Sequence, residues 1–568
     1  MIGLIAATAA GRRGAARLAA ALADADTRVY DMPVAEAVRT AFAECEQLVC
    51  FLATGATVRL LAPLLADKRT DPGVVCVDEA QRFAVALVGG HEGGANALAG
   101  RVADALGAQA VVTTATDAVS LPGLDTLGLA AEGDVAAVSR AMLDGGPVRL
   151  VAETRYPLPA LPGNVVADAA EGSPQLVISD RTVDPEPGVP TAVLRPRTLV
   201  VGVGASRGVP ADEVLTLVRE ALADAGLSPA AVSHLATVDA KADEAGLLAA
   251  ARELGVELRA HRAAELAAIA VPNPSDAPLA AVGTPSVAEA AALASGGELV
   301  VPKRKSVRAD GAAAMATVAV ARVAPRGRLA VVGLGPGARD LLTERAKREL
   351  RRASVIVGLD QYVDQIRDLL RPGVRIEATG LGAEEERARS AVRLAEQGLA
   401  VALIGSGDAG VYAMASPALA EAGADIDVVG VPGVTAALAA AALLGAPLGH
   451  DHVSISLSDL HTPWEVIERR IRAAAESDLV VTFYNPRSRG RDWQLPKALE
   501  LLRAHRDGTT PVGVAHSVSR PDEWHAVTTL DELDVATVDM TTVVTVGNTA
   551  SRTVAGRMVT PRGYRWQV

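Results

Sequence analysis

The chain has 568 residues, of which half are hydrophobic, 21% are charged and 2% are aromatic. This length predicts three to four domains, and their cores must be built from Ala, Val and Leu. The net charge of −12 excludes a generally basic protein that coats nucleic acid, although it permits a local basic pocket. Three cysteines, Cys45, Cys50 and Cys76, are too few for a disulfide framework and lack zinc-ligand spacing, so we expect buried, reduced thiols.

The first residues predict a buried strand and no targeting segment. Ile2–Ala6 is apolar and precedes Arg12 and Arg13, whereas a secretory signal places its charge before the apolar run. Every apolar stretch of about 18 residues is interrupted by Gly, Pro or charge, so we predict no membrane span. We therefore expect a cytoplasmic protein that binds neither membrane nor nucleic acid.

Short β-branched runs, Gly-rich turns and Ala/Leu/Arg helices alternate along the chain. This alternation predicts a multidomain α/β fold with largely parallel sheets. The predicted elements include strands at 111–113, 199–201 and 331–333 and helices at 101–106 and 210–225. The predicted boundaries are two proline-containing stretches, 180–196 and 323–328, and a softer break near 121–123. We expect domains at 1–122, 123–197, 198–322 and 327–568, the last large enough for two lobes.

Polar residues in the first block cluster at one predicted strand-to-helix turn. The turn spans residues 89–96 and holds His91 and Asn96, while Asp117 follows the next strand. His91 with Glu92 is too sparse a pair for a metal site. We expect a polar pocket without a metal ion.

Further polar motifs follow Leu199. The motifs are residues 201–210, the acid/Lys/acid cluster 236–244, and the segments 271–275, 282–289 and 301–306. Together with the first block they resemble the cobalt-precorrin-5A hydrolase family, over residues 1–322 and least over 121–196. The resemblance implies lactone opening with release of acetaldehyde.

A hydrolase of this kind needs a group that activates water and cations that hold substrate carboxylates. The residues available for these roles are His91, Asp117, Asp239 and Lys241. Two alternatives stay open. Lys241 can instead form a salt bridge with Asp239 or Asp243, and Lys303–Lys305 is either a substrate-binding patch or a solvated charge run.

The C-terminal block contains three predicted strands that each run into a Gly-rich turn. The first, 329–337, precedes a helix that we expect to begin near Glu344, and the others are 402–412 and 431–437. Glycines allow a ligand to approach the backbone, and a helix N-terminus favours an anion. Pro336 interrupts the G-x-G-x-x-G dinucleotide pattern, which disfavours an oxidoreductase. Asp408 binds either backbone amides or a ligand hydroxyl.

These turns, with the segments 445–451, 455–464, 483–488 and 546–549, resemble the tetrapyrrole (corrin/porphyrin) methyltransferases, and among them the precorrin-3B C(17)-methyltransferase branch. The resemblance runs from Leu329 to the end and implies a two-lobed fold with S-adenosylmethionine in the cleft between the lobes. The cofactor-binding residues that it implies are Gly335, Pro336, Gly337, Ser406, Gly407, Asp408, Val411, Thr435, Ala436 and Asn485.

The resemblance also implies the reaction, which is methylation at C-17 of the macrocycle with contraction of the ring. That step needs a proton acceptor and a site that excludes bulk water. The titratable groups in the branch-specific segments are His450, Asp451, Asp459 and His461, of which we select His450 and Asp459 as catalytic candidates. Solvated loop residues are the alternative for each.

The substrate that the resemblance implies is a corrin precursor with many carboxylates, so an acidic protein must concentrate positive charge locally. Arg487, Arg489 and Arg491 are the candidates for carboxylate recognition, and an exposed basic loop is the alternative. The segments 358–362 and 515–520 depart from the family pattern, which leaves open whether the substrate contains cobalt.

The sequence as a whole predicts a fusion of two enzymes of cobalamin synthesis. Two alternatives stay open: a first half that binds corrinoids without catalysis, and methylation at another macrocycle position. Related methyltransferases suggest a homodimer. Contact with other enzymes of the pathway is expected because another methylation intervenes between the two reactions.

Overall fold

We analysed a computed structural model of the chain. The ranges that it describes are 1–22, 25–67, 70–90, 93–114, 123–124, 127, 129–152, 155–275, 279–280, 283–307, 311–380, 382–488 and 490–563. The chain forms two compact units. The first comprises residues 1–156, 161–325 and 371–373, and the second comprises 157–160, 326–370 and 374–568. The proposed division into four domains stays a prediction.

The first unit begins with a six-stranded sheet of order β2-β1-β3-β4-β5-β6, in which β4 and β5 pair antiparallel and the other pairs are parallel. Its strands are β1 (Ile2–Ala6), β2 (Thr27–Tyr30), β3 (Gln47–Phe51), β4 (Gly73–Val77), β5 (Phe83–Val88) and β6 (Gln109–Val111). Its helices are α1 (Ala9–Ala21), α2 (Val34–Glu44), α3 (Thr54–Leu61) and α4 (Ala95–Leu106).

The predicted buried strand at Ile2–Ala6 is confirmed, and the three cysteines are buried free thiols. The strand predicted at 111–113 is shifted, because the structure has it at Gln109–Val111.

A second sheet has the order β7-β11-β10-β8-β9, with only β7 antiparallel to its neighbour. Its elements are β7 (Ala130–Gly133), α5 (Val135–Leu143), β8 (Val148–Ala152), β9 (Val165–Val166), β10 (Gln175–Ile178) and β11 (Thr191–Arg195). The proline-containing stretch 180–196 is therefore not loop throughout, because its residues 191–195 form a fully buried strand. The prolines of this stretch lie before or directly after the strand, so the apolar residues between them can pair within the sheet.

The third sheet, of order β14-β13-β12-β16-β15, completes the first unit. Strands β12, β13 and β14 are parallel, whereas β16 is antiparallel to both β12 and β15. Its strands are β12 (Leu199–Ala205), β13 (Val232–Val238), β14 (Glu257–His261), β15 (Glu298–Lys305) and β16 (Ala316–Arg322). Its helices are α6 (Ala211–Asp224), α7 (Ala245–Glu253), α8 (Ala263–Ala267) and α9 (Ala288–Leu293).

The second unit opens with a five-stranded sheet of order β19-β18-β20-β17-β21, which is parallel throughout. Its strands are β17 (Arg328–Gly333), β18 (Val355–Leu359), β19 (Arg375–Thr379), β20 (Ala400–Gly405) and β21 (Asp427–Val431). Its helices are α10 (Glu344–Arg352), α11 (Asp360–Ile366), α12 (Glu384–Glu396), α13 (Ala415–Glu421) and α14 (Ala436–Leu444). Apolar clusters cover both faces of this sheet, as a parallel sheet requires.

The second lobe of this unit holds a sheet of order β23-β24-β27-β25-β26, and a small sheet joins β22, β29 and β28. Only β23 and β24 are parallel in the larger sheet. The expectation of largely parallel sheets is therefore wrong for this lobe, because β25, β26 and β27 are joined by loops without crossover helices. Its strands are β22 (Gly445–Ala446), β23 (His452–Ser456), β24 (Val480–Tyr484), β25 (Pro511–His516), β26 (Trp524–Thr529), β27 (Thr542–Val546), β28 (Arg552–Val554) and β29 (Arg557–Val559). Its helices are α15 (Trp464–Glu476) and α16 (Gln494–Arg503).

No helix in the described ranges combines the length and apolar character needed to cross a membrane.

Candidate active site

The three Gly-rich turns of the second unit leave the sheet from neighbouring strands. They follow β20, β17 and β21, which are adjacent and parallel. Their carboxyl ends therefore meet at one edge of the sheet, where ligands of open α/β folds bind. We call them the first turn (333–337), the second turn (405–411) and the third turn (431–435).

Backbone hydrogen bonds join the first and second turns. The Gly335 amide donates to the Gly407 carbonyl at 3.0 Å, and the Gly407 amide donates back to the Gly335 carbonyl at 2.7 Å. Both residues have positive φ, 74° and 65°, which glycine adopts at little cost. The third turn is equally close, because a Cβ on Gly433 would lie 2.1 Å from the Gly407 carbonyl oxygen. Only glycine allows this approach.

Asp408 connects the second and third turns. Its Oδ1 accepts from the Gly410 amide at 2.8 Å, and its Oδ2 accepts from the Gly433 amide at 3.0 Å. The sequence left open whether Asp408 binds backbone amides or a ligand hydroxyl. In the structure it binds backbone amides. The carboxylate fixes the mutual position of two turns.

The remaining turn residues leave polar and small groups accessible at the strand ends. Ser406, Val411, Thr435 and Ala436 are half-buried, whereas Pro336 is buried. The helix after the first turn begins at Glu344 as predicted, and the Thr343 hydroxyl accepts from the Ala346 amide at 3.1 Å. A glycine-lined edge with half-buried hydroxyl groups suits a ligand with both polar and flat parts.

Tyr484, from the other lobe, reaches the third turn. Its hydroxyl lies 2.5 Å from the Thr435 hydroxyl and accepts from the Ala437 amide at 2.9 Å. Its ring packs against Tyr412, with 5.2 Å between ring centroids, and the Tyr412 hydroxyl donates to the Ser454 carbonyl at 2.7 Å. Burial raises the pKa of Tyr412, so this phenol stays neutral. Sequence reasoning did not select Tyr484, although it ends the β-branched and aromatic run 480–484.

Asn485 follows Tyr484 in a left-handed conformation, with φ of 49°. Its side-chain amide donates to the Ser456 hydroxyl at 3.1 Å, and its carbonyl accepts from Arg491. A non-glycine residue in this region is held by its surroundings and is typical of binding sites. Asn485 directly follows Tyr484 in sequence. Its fixed conformation therefore lies next to the residue that contacts the third turn.

Two of the arginines proposed for carboxylate recognition, Arg487 and Arg491, contact residues of their own lobe. Arg491 is buried and donates to the Asn485 carbonyl and, at 3.2 Å, to the Met540 sulfur. Burial lowers its pKa, and the charge of Asp459 opposes this effect. Arg487 donates to the Val535 carbonyl at 3.0 Å, and Arg489 lies outside the described residues. The contacts of Arg491 with backbone and sulfur favour a structural role, and its part in carboxylate recognition stays a prediction.

The catalytic candidates of this unit occupy different surroundings. Asp459 is exposed, accepts from the Gln494 amide at 3.0 Å and acts electrostatically on Arg491. His450 makes local contacts, because its Nδ1 accepts from the Asp451 amide at 2.7 Å and lies 3.4 Å from the Asp451 carboxylate. His461 is exposed. Asp459 is therefore held by the Gln494 side chain, and His450 is held in its own turn.

Sequence reasoning also missed Arg520, which lies in the segment noted only as a departure from the family pattern. Its guanidinium donates to the Pro336 carbonyl at 3.3 Å and to the Ser406 hydroxyl at 3.5 Å. A cation thus lies beside the first and second turns.

In the first unit, the two candidates His91 and Asp117 lie outside the described residues. Lys241 forms a salt bridge, which was the alternative to a catalytic role, but its partner is Glu244 at 3.2 Å and not Asp239 or Asp243. Glu244 is three residues away on the same turn and also accepts from the Gly208 amide at 2.8 Å, which places its carboxylate within reach.

A buried carboxylate explains three of the sequence motifs in this unit. Glu289 is fully buried, and accepts from the Asn273 amide and side chain and from the Lys303 amide at 2.7–2.9 Å. Burial alone would raise the pKa of Glu289, but these hydrogen bonds outweigh it and hold the pKa below its usual value. Lys303 donates to the Asn273 carbonyl, and Arg304 pairs with Asp224 at 2.6 Å. The contacts of these two cations favour a structural role.

Comparison with known proteins gives matches over both units. Residues 328–534 match the family model described as Tetrapyrrole (Corrin/Porphyrin) Methylases. A Sinorhizobium protein named precorrin-3B C(17)-methyltransferase is 41% identical over 250 residues, which are 42% of this chain and 97% of that protein. The chain belongs to the tetrapyrrole methylase family.

The chain is also similar to two further proteins. A Salmonella typhimurium protein named "Probable cobalt-factor III C(17)-methyltransferase" is 47% identical over 239 residues, covering 42% of this chain and 99% of that protein. The crystal structure of the methyltransferase CobJ is 40% identical and covers 41% of this chain and 100% of its own, with a TM-score of 0.40.

The part of the chain that precedes the methylase region matches two other models. Residues 36–117 match the model Cobalamin synthesis G N-terminal, and residues 199–321 match Cobalamin synthesis G C-terminus. The resemblance on which the sequence analysis rested is thereby confirmed for both parts of the fusion.

Proposed function

We propose that the second unit transfers a methyl group from S-adenosylmethionine to C-17 of precorrin-3B, or of its cobalt counterpart, with contraction of the ring to precorrin-4. The observation that carries this proposal is the convergence of the three turns within the region that matches the methylase family. The names of the relatives support the position of methylation.

The cofactor-binding residues in this proposal are those of the turns and their neighbour from the second lobe. They are Gly335, Pro336, Gly337, Ser406, Gly407, Asp408, Val411, Thr435, Ala436 and Asn485. S-adenosylmethionine supplies an electrophilic methyl group on a sulfonium sulfur. The protein's task is then positioning, and turns that are joined by backbone hydrogen bonds suit it because they need no rearrangement.

The residues of the second lobe would receive the macrocycle and remove a proton from it. His450 and Asp459 are both proposed as proton acceptors. Asp459 accepts from the Gln494 side-chain amide, whereas the contacts of His450 are with its neighbour Asp451. Arg487 and Arg489 remain proposals for carboxylate binding. Arg487 donates to the Val535 carbonyl. A guanidinium has five N–H donors, so Arg487 can also bind a substrate carboxylate.

The test is incubation of the full chain with S-adenosylmethionine and either precorrin-3B or its cobalt counterpart, followed by mass spectrometry and absorption spectroscopy. We expect one added methyl group and the spectrum of a contracted ring. The macrocycle that reacts faster shows whether the preferred substrate contains cobalt. Binding of S-adenosylmethionine without methylation of either macrocycle would contradict the assigned position. Methylation without ring contraction would identify a different member of the family.

For the first unit we infer hydrolysis of the cobalt-precorrin-5A lactone with release of acetaldehyde. The matches to both Cobalamin synthesis G models support this second activity. The full chain should release acetaldehyde from the lactone-bearing substrate, which a coupled alcohol dehydrogenase assay detects. Tight corrinoid binding without acetaldehyde would instead support the carrier function.

A further inference from the structure

The loop that carries Arg520 has a preorganised conformation. This arginine loop, residues 517–523, connects β25 to β26. Ser517 and Ser519 have positive φ, 45° and 65°, a conformation that is unfavourable for a non-glycine residue and persists only where neighbours enforce it. Two backbone bonds do so here, from Arg520 to the Ser517 carbonyl at 2.9 Å and from Glu523 to the Arg520 carbonyl at 3.0 Å.

Side chains at the base of the loop add further constraints. Asp522 accepts from the Ser517 hydroxyl at 2.8 Å and lies 3.4 Å from His516 Nε2. His516 stacks on Trp524, with 5.6 Å between ring centroids, and its Nδ1 lies 3.3 Å from Asp539. Hydrogen bonding from Ser517 is the main cause that lowers the pKa of Asp522, so the carboxylate remains charged. Both ends of the arginine loop are therefore fixed.

The fixed loop places Arg520 against the turns of the candidate active site. A Cβ on Gly337 would lie 2.9 Å from the Arg520 Cγ and 3.1 Å from the Ser519 carbonyl oxygen. The aliphatic part of the Arg520 side chain thus packs directly on Gly337. Beyond the stem, the guanidinium contacts the Pro336 carbonyl and the Ser406 hydroxyl, so its position bridges two turns.

Both of these acceptors are neutral, and both distances are long. In the part of the chain that the structure describes, no carboxylate lies within ion-pair distance of Arg520. The side chain is only half-buried. A guanidinium has five donors in a planar fork that matches a carboxylate. Two weak bonds leave most of this capacity for a ligand at the strand ends.

We propose that Arg520 binds a ligand carboxylate at the candidate active site. The inference rests on the proposed function, under which two sources offer this group: the methionine part of S-adenosylmethionine and an acidic side chain of the macrocycle. If the macrocycle is the source, the arginine loop supplies positive charge of the kind expected at Arg487, Arg489 and Arg491.

The experiment compares the affinities of the Arg520→Gln variant and the unsubstituted chain for two probes, measured by calorimetric titration. S-adenosylhomocysteine contains the methionine carboxylate, whereas 5′-methylthioadenosine shares the adenosine and thioether but lacks it. If the cofactor supplies the carboxylate, affinity for S-adenosylhomocysteine should fall by about tenfold or more, and affinity for methylthioadenosine should not change. Arg520→Lys should restore only part of the loss, because lysine cannot bind in the bidentate mode.

If the macrocycle supplies the carboxylate, both adenosyl probes should bind Arg520→Gln as before, while precorrin-3B binding, followed by absorption, weakens by about tenfold. Unchanged binding of all three ligands overturns the proposal. An equal loss of both adenosyl probes also overturns it, since Arg520 then only positions the turns.

The matched control is Arg472→Gln. Arg472 is a half-exposed arginine of the same lobe that pairs with Glu468 at 2.6 Å, and its substitution should leave all three affinities unchanged. Absence of S-adenosylhomocysteine binding by the unsubstituted chain would be a failure of the proposed function itself, and it is recognised before any variant is compared.

Discussion

The strand ends of the two units differ in how their polar side chains are satisfied. In the second unit, Asp408 binds the Gly433 amide 25 residues away, and Arg520 contacts Pro336 across 184 residues. In the third sheet of the first unit, Lys241 pairs with Glu244 and Arg262 with Glu265, each three residues away. Long-range bonds of the first kind fix one turn relative to another. The two ion pairs of the first unit are local, although Glu244 also accepts from the Gly208 amide, 36 residues away.

This difference explains why one function can be argued from geometry and the other rests mainly on similarity. Three turns that must approach within hydrogen-bond distance impose glycines and an acid at fixed places. The buried carboxylate of the first unit, Glu289, joins distant segments too, but Asn273 and Lys303 satisfy it fully. It therefore organises a core and not a ligand site.

The largest expected effect that tests this comparison comes from Gly433→Ala. The added Cβ would lie 2.1 Å from the Gly407 carbonyl oxygen, with backbone atoms of Gly333 at 2.8 Å. Because backbone and not a flexible side chain must move, we expect a loss of about 3 kcal/mol in the second unit. S-adenosylhomocysteine binding, measured by calorimetry, should be abolished.

Gly246→Ala is the matched control for this substitution in the first unit. Its Cβ would lie 2.0 Å from the Val209 carbonyl oxygen, so the steric conflict is of the same kind. Thermal unfolding should show a similar loss of stability, while S-adenosylhomocysteine binding persists. Retained binding in Gly433→Ala would contradict the assignment of the third turn to the cofactor site.

A pH-dependent effect on stability is expected in the first unit. His234 is buried on β13, and burial, with a smaller contribution from Arg259, lowers its pKa from 6.5 to about 4. Between these values the folded unit keeps the imidazole neutral while the unfolded chain binds a proton, so stability falls as the pH is lowered. The loss at pH 5 should be about 2 kcal/mol.

Hydrogen exchange at pH 7 and pH 5, corrected for the intrinsic rate, measures this effect separately for each unit. Peptides of the third sheet should lose protection on acidification. In His234→Gln this additional loss should disappear, because glutamine does not titrate. Equal pH dependence of the variant and the unsubstituted chain would assign the acid sensitivity to other groups.

Asp408→Asn should have a smaller effect, on the second unit. Asparagine retains one oxygen acceptor, but its NH2 group would face one of the two donating amides, Gly410 or Gly433. We expect a loss of about 1–2 kcal/mol in stability and weaker S-adenosylhomocysteine binding in calorimetry. Affinity that is unchanged would show that the link between the second and third turns is not needed for binding.

The α/β class, the three turns and the start of the helix at Glu344 were predictable because they depend on local pattern: β-branched runs, glycines and a Thr cap. The antiparallel sheet of the second lobe and the buried strand Thr191–Arg195 were not, since pairing direction and burial depend on distant partners. For the same reason Tyr484 and Arg520 were not assigned to the candidate site from the sequence. Their contacts with Thr435 and Pro336 join residues far apart in sequence, and no spacing rule records them.

The smallest expected effect concerns Lys241, for which catalysis and a salt bridge were both considered. Its ammonium lies 3.2 Å from Glu244, which also accepts from the Gly208 amide. If the ion pair is structural, Lys241→Gln should lower the free energy of unfolding by less than about 1 kcal/mol. A double-mutant cycle with Glu244→Gln should recover most of that loss as coupling energy.

Acetaldehyde release by Lys241→Gln separates the two roles further. A structural lysine predicts a rate within about twofold of the unsubstituted chain, because so small a change in stability leaves the unit folded. A rate that drops by about a hundredfold or more, with unfolding unchanged, would place Lys241 in the catalytic machinery. The strand ends of the first unit would then hold an organised site after all, and local pairing would no longer distinguish the two units.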